Sequence, residues 1–185
     1  ILYTNMKTNL LFVLYFAFCM QAYSQNPILF ICAKAHLGNG KVIENSVISI
    51  QNGKFEIVAD ASMIRIDPNA FDTIYKVYNK HIYPAFIAPN TTIGLTEIDA
   101  VRATHDYAET GNINPNIRSL IAYNTDSKII NTIRTNGILI AQVTPQGGLI
   151  SGQSSVVYLD GKNWQDAVLK ADDGIHINWP NSYYK

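Results

Sequence analysis

The spacing of apolar and polar positions divides the chain into two stretches of different rhythm. From Ile28 to about Tyr83 the apolar runs are short and separated by turn residues, which predicts strands. Ile28-Leu29-Phe30-Ile31-Cys32-Ala33 is a run of strand length, and Gly38-Asn39-Gly40 follows as a turn. Val47–Ile50 predicts the next strand. Gln51-Asn52-Gly53-Lys54 places Asn-Gly at the centre of a hairpin turn, so Phe55–Val58 is expected to return antiparallel. Asp67-Pro68-Asn69 breaks the pattern, and Ile74–Tyr78 resumes it.

From Pro84 the rhythm lengthens. A strand over Ala85–Ala88 is followed by Thr96–Val101, which predicts a helix start capped by Thr96, and Thr110–Pro115 reads as loop. Asp126 is the expected cap of a helix carrying Ile129, Ile130 and Ile133 on one side and closed by Asn136-Gly137. Ile138–Val143 is a continuous apolar run, the pattern of a parallel strand buried on both faces, and Pro145-Gln146-Gly147-Gly148 follows it as a loop. Alternation of strand and helix makes this half α/β.

Composition narrows the partners. The 185 residues carry no net charge, 48% are apolar and only 15% are charged, so nothing recommends nucleic acid. Few charges with many Asn, Thr, Tyr and Ile fit a β-rich, secreted type of surface. Met6-Lys7-Thr8-Asn9, the apolar run Leu10–Met20 and the small residues of Ala22-Tyr23-Ser24 together predict a signal peptide cleaved before Gln25. The apolar run is shorter than the roughly 20 residues that span a bilayer, so no stable membrane anchor is expected. The predicted location is secreted or periplasmic, and the five residues before Met6 read as upstream read-through. Cleavage removes Cys19 and leaves Cys32, which excludes an internal disulfide and is expected to be a buried, inert thiol.

Residues 83–92, Tyr-Pro-Ala-Phe-Ile-Ala-Pro-Asn-Thr-Thr, resemble the first barrel strand of the metal-dependent amidohydrolases of the imidazolonepropionase and dihydroorotase type. In that family the strand ends in Pro-Gly-hydrophobic-Ile-Asp-x-His-x-His. The run from Asn45 to Lys54, with its Asn-Gly turn, resembles the small β-sandwich that precedes the family's barrel. The resemblance covers roughly residues 28–180. It implies an α/β fold with a β-rich N-terminal part, namely a portion of the β-sandwich followed by the opening units of an incomplete TIM barrel. The expected division is 1–24 for read-through and signal, 25–83 for the sandwich portion and 84–185 for the barrel portion. Because a complete barrel takes about 250 residues, two or three strand–helix units and a fragment of a longer protein are expected.

The implied activity is hydrolysis of non-peptide carbon–nitrogen bonds by hydroxide on a divalent metal, zinc in the family. Here the two histidine positions hold Asn90 and Thr92, and the usual aspartate is Ala88. Two residues one apart on a regular strand share a face and can reach one ion, but neutral amide and hydroxyl oxygens bind zinc weakly where imidazole binds well. No metal or cofactor is therefore predicted for this chain, and no catalytic residue is assigned.

Candidate binding residues at the barrel mouth are Asn90, Thr92, Glu97, His105, Ser151, Gln153 and Ser154. Glu97, Asp99, His105, Asp106 and Glu109 either overhang that mouth or form the polar face of a surface helix, with His105 and Glu109 one turn apart. Gly147–Ser154 nearly spells a phosphate loop, but Gln153 stands at the lysine position and Ser155–Leu159 continues as strand, which excludes nucleotide binding. A Gly-rich loop lining the mouth remains, offering Ser151, Gln153 and Ser154. His176 alternates with apolar neighbours as on a strand with one buried face, and no Gly-x-Ser-x-Gly elbow exists. Two functions follow. One is an amidohydrolase-like enzyme that recruits metal through later residues. The other is a non-catalytic homologue that binds a small molecule or pairs with an active homologous subunit.

Overall fold

The computed structural model describes residues 27–179, and the chain forms two compact units that divide between Pro84 and Ala85. The proposed signal sequence, with Cys19 and the cleavage point before Gln25, lies outside the described residues.

The first unit is one mixed sheet built from β1 (Ile28–His36), β2 (Val42–Gln51), β3 (Lys54–Asp60), β4 (Thr73–Lys76) and β5 (His81–Ile82). The order is β3-β2-β1-β4, and β5 also pairs with β1. β1, β2 and β3 run antiparallel in turn, whereas β4 and β5 run parallel to β1. Asn52 and Gly53 both take positive φ, 51° and 71°, which is the left-handed pair that a two-residue hairpin needs to match strand twist. Leu29, Ala33, Ala35, Val47 and Ile48 are buried in this unit. Ser46, also buried, is satisfied by donating its hydroxyl to the Ala33 carbonyl at 2.7 Å. The β1–β2 register shifts on either side of Ala33, and Cys32 has φ of 68°. That bulge leaves Cys32 half-buried where full burial was expected. Hydrogen bonding to Cys32 pushes the Tyr78 phenol above its ordinary pKa.

The second unit carries β6 (Phe86–Thr91), α1 (Ser119–Ala122), α2 (Lys128–Thr135), β7 (Ile138–Val143), β8 (Ile150–Tyr158), α3 (Trp164–Ala167) and β9 (Val168–Ile177). Its sheet has the order β6-β7-β8-β9. β6 and β7 are parallel, joined by a crossover that contains α1 and α2, and β7, β8 and β9 are antiparallel. Among the described residues there is thus one parallel crossover followed by a meander, where two or three strand–helix units were expected. Leu95, Leu120, Tyr123, Ile130, Ala141, Val143, Val157, Leu159 and Ala167 form the core.

Helix α2 falls on the expected residues, with Asn136 at its C-cap and Gly137 at φ 86°. Its N-cap is Ser127 rather than Asp126, and the Ser127 side chain makes no capping bond. Within β7 only Ala141 and Val143 are buried, and Leu139 is exposed, so burial on both faces does not hold along the strand. The helix expected from Thr96 does not form. Thr104 Oγ1 instead accepts from the Ile98 N–H at 3.1 Å and lies within hydrogen-bond distance of the Ile98 and Val101 carbonyls. A side chain that serves the backbone in this way competes with helical pairing, and only a short 3₁₀ turn at Arg102–Thr104 results.

Candidate functional site

Parallel strands β6 and β7 end side by side, and the polar side chains there define the candidate site. β6 ends at Thr91, and its register against β7 shifts between Ala88 and Thr91. Within that irregularity Asn90 adopts φ 50°, a left-handed conformation that asparagine tolerates better than most residues. Thr92 lies past the strand end, where its carbonyl accepts from the Leu95 N–H at 2.9 Å in a turn. The expectation that positions 90 and 92 share a strand face rests on regular pleating, and the bulge removes that regularity.

Gln142, the polar residue inside the apolar run of β7, links the strands. Its Oε1 accepts the Asn90 backbone N–H at 3.2 Å, and its Nε2 donates to Asp173 Oδ2 at 2.9 Å and to Ser154 Oγ at 3.4 Å. One amide therefore ties β6, β7, β8 and β9 together. Asp173 in turn pairs with Lys170 at 2.6 Å. The hydrogen bond from Lys170 holds the Asp173 carboxyl below the usual carboxylate range; Gln142 and the charge of His176 help, and partial desolvation opposes them. Gln142, Lys170 and Asp173 were missed as candidates from sequence. The available signal was Gln142 itself, a polar interruption in an otherwise apolar strand.

The other expected residues do not converge on that point. Glu97 accepts from Asn124 Nδ2 and from Ser127 Oγ, each at 2.9 Å, and so anchors the segment before α2. His105 sits at the end of the 3₁₀ turn rather than on a helix. Its Nε2 lies 3.0 Å from the Asp99 carbonyl and its Nδ1 3.3 Å from the Tyr107 hydroxyl; since a carbonyl only accepts, Nε2 is the donor to Asp99. With no helix present, His105 and Glu109 are not one turn apart. Ser151, Gln153 and Ser154 belong to strand β8 and not to a Gly-rich loop. Ser151 and Ser154 are buried. Ser151 Oγ accepts from Asn178 Nδ2 at 2.8 Å, and Gln153 Nε2 donates to the Pro115 carbonyl at 2.8 Å. Gly152 explains this close packing: a Cβ there would lie 2.6 Å from the Ile117 carbonyl, so only glycine lets the 116–118 segment lie on β8. His176 is half-buried while Ile175 and Ile177 are exposed, so the histidine side is the more covered one here.

A cleft of about 530 Å³ opens elsewhere in the same unit, lined by residues that include Asp106, Tyr107, Glu109, Asn116, Arg118 and Pro145. Arg118 is held by Asp172 at 2.8 Å. None of the seven expected site residues lines this cleft.

No protein-family profile matches the chain, and no curated protein matches it. Among solved structures the chain is similar to an amidohydrolase from Thermotoga maritima MSB8, with a TM-score of 0.74 and 23% identity over 83% of this chain. The likeness is one of fold. The chain spans 39% of the length of that structure.

The family's metal can be tested against the donors present. At the end of β6 the candidates are one amide in a left-handed bulge and one hydroxyl beyond the strand. Neither is an imidazole, carboxylate or thiolate, the donors that hold zinc. Among the described residues no group of three or more His, Cys, Asp or Glu side chains is placed to hold an ion. These residues do not fit a zinc site.

Proposed function

We propose that the chain is the N-terminal part of an exported, amidohydrolase-like protein, in which the first unit is a portion of the β-sandwich and the second opens a TIM barrel. The superfamily's activity, hydrolysis of non-peptide carbon–nitrogen bonds, belongs to this reading, but the first pair of metal ligands is replaced by Asn90 and Thr92. What supports the reading is the fold likeness, joined to a strand end where an amide and a hydroxyl stand in place of imidazoles. The network through Gln142 positions the Asn90 backbone and ties the four strands together.

The test is metal content of the full-length protein purified without chelator, compared with the same protein carrying Asn90→Ala and Thr92→Ala. No difference in zinc is expected between the two, because neither side chain ligates. A full equivalent of zinc that is lost in the double variant would restore metal-dependent hydrolysis at this strand end.

The cleft favours a second reading, a non-catalytic scaffold that binds a small molecule. Its volume lies within the range of ligand pockets, and Asp106, Asn116 and Arg118 offer both donors and acceptors. Pairing with an active homologous subunit is the other form of that reading. Equilibrium dialysis against small polar amides, with Asn116→Ala as the control, separates a binding scaffold from an inert one.

A further inference from the structure

Three side chains at the sheet of the first unit converge in a way that the proposed function does not use. β5 lies parallel to β1, with Lys34 opposite His81 and Ala35 opposite Ile82. His36 ends β1 one residue later, and Tyr83 lies just past the end of β5. His36 Nε2 lies 2.9 Å from His81 Nδ1, and the Tyr83 hydroxyl lies 3.3 Å from the same Nδ1. The imidazoles meet head to head, with centroids 5.2 Å apart and planes within 17°, and Tyr83 stacks on His36 at 4.2 Å and 11°. His81 and Tyr83 are exposed and His36 is half-buried, so solvent and ions reach the group.

We propose that His36 Nε2 and His81 Nδ1 form a two-imidazole chelate for a divalent late transition ion of the copper(II) type, with the Tyr83 oxygen as a third donor and water completing the shell. Metal–imidazole bonds of about 2.0 Å place adjacent nitrogens about 2.8–2.9 Å apart on a square plane and about 3.3 Å apart on a tetrahedron. The observed 2.9 Å is the length of a ring-to-ring hydrogen bond, so the two nitrogens already lie close to the separation that one shared ion requires, and imidazole is a ligand that copper(II) binds more tightly than other divalent first-row ions. Each ring must turn so that the two lone pairs point at one ion instead of at each other, and the exposed edge leaves room for this.

The protons balance. In the hydrogen-bonded pair one facing nitrogen carries a proton and the other accepts it. On metal binding the proton between the rings moves, through solvent, to the far nitrogen of its own ring, so a neutral pair takes up the ion without net proton release. The stack of Tyr83 on His36 keeps that imidazole near His81. Lys34, the cation opposite His81 in register, is paired with Glu44 at 2.8 Å, which reduces its repulsion of a bound ion. The two histidines are separated by 45 residues, so no local spacing in the sequence betrays the pair.

The experiment titrates copper(II) alone into the chain and reads stoichiometry together with electron paramagnetic resonance. One equivalent with hyperfine coupling to two imidazole nitrogens is expected. His36→Gln and His81→Gln should each weaken it by more than the roughly tenfold that losing even an outer-shell partner costs, while His105→Gln leaves it unchanged. Copper that binds equally well to both pair variants overturns the proposal, as does the absence of stoichiometric binding. Should either variant fail to fold, the unmodified chain decides by nuclear magnetic resonance. Substoichiometric copper must broaden the His36, His81 and Tyr83 side-chain signals first; earlier broadening of His105 or His176 overturns it.

Discussion

The phenol of Tyr123 lies in the core of the second unit, 5% exposed, and its oxygen has no hydrogen-bond partner among the described residues. The ring packs so closely on Gly94 that a Cβ there would lie 2.5 Å from it, and Gly94 has φ 74°, so this position is closed to side chains for two reasons. Burial pushes the Tyr123 pKa up to about 12 from the ordinary 10.0. Because the folded value is the higher one, the folded state holds its proton where the unfolded chain has lost it. The contribution is complete below the unfolded value of 10.0 and is lost as pH rises towards about 12. Tyr123→Phe keeps the ring and removes an unpaired buried hydroxyl, whose desolvation costs about 1–3 kcal/mol. Urea unfolding at neutral pH should therefore show a variant at least as stable as the parent. Repeated between pH 9 and 11.5, the same measurement should show a shallower alkaline loss in the variant. A clear loss of stability at neutral pH would mean that the hydroxyl has a partner after all.

At the scale of elements, helix α2 shows how pattern becomes stability. Ile130 is 3% exposed and belongs to the core, while Ile129 beside it is 38% exposed. Ile130→Ala is expected to cost about 2–5 kcal/mol through lost burial and the cavity left behind, and Ile129→Ala clearly less, as read by denaturant unfolding of the two variants. Equal costs would show that the helix does not dock by the Ile130 face. This helix, β7 and the Asn52-Gly53 hairpin were legible because their signals are local: a 3.6-residue period, a cap glycine, and a turn that needs positive φ. The Thr96–Val101 segment was misread because one hydroxyl, Thr104 Oγ1, pairs with the backbone that a helix would have used. Gln142 was passed over because its role comes from Asn90, Ser154 and Asp173, which lie on three other strands. The irregularity between Ala88 and Thr91 went unread for a similar reason, since it shows itself only in the register against a neighbouring strand. Side-chain chemistry at the strand end was readable from composition; its geometry was not.

At the scale of the whole molecule, each of the two units has its own buried residues, and the second presents apolar side chains to solvent. Phe86 and Ile87 on β6, and Ile175 and Ile177 on β9, are more than half exposed. β6 and β9 are also the outer strands of that sheet, each bonded to one neighbour among the described residues. Edge strands with free backbone groups and apolar side chains are templates for further pairing, which proteins normally cover, charge or twist away. Here the exposed positions of β6 carry no charge, since Phe86–Thr91 contains no acidic or basic residue. The chain by itself is thus expected to bind an apolar dye, to self-associate as concentration rises, and to unfold over a broad range, the second unit opening apart from the first. Lys substitutions at Phe86 and Ile175 should reduce self-association without loss of the first unit's unfolding signal, because both residues lie in the second unit. Analytical ultracentrifugation with scanning calorimetry reads both effects. A monomer that shows one sharp cooperative transition and no dye binding would mean that these strands are covered within the chain itself, and the reading of β6 and β9 as open edges would fall with it.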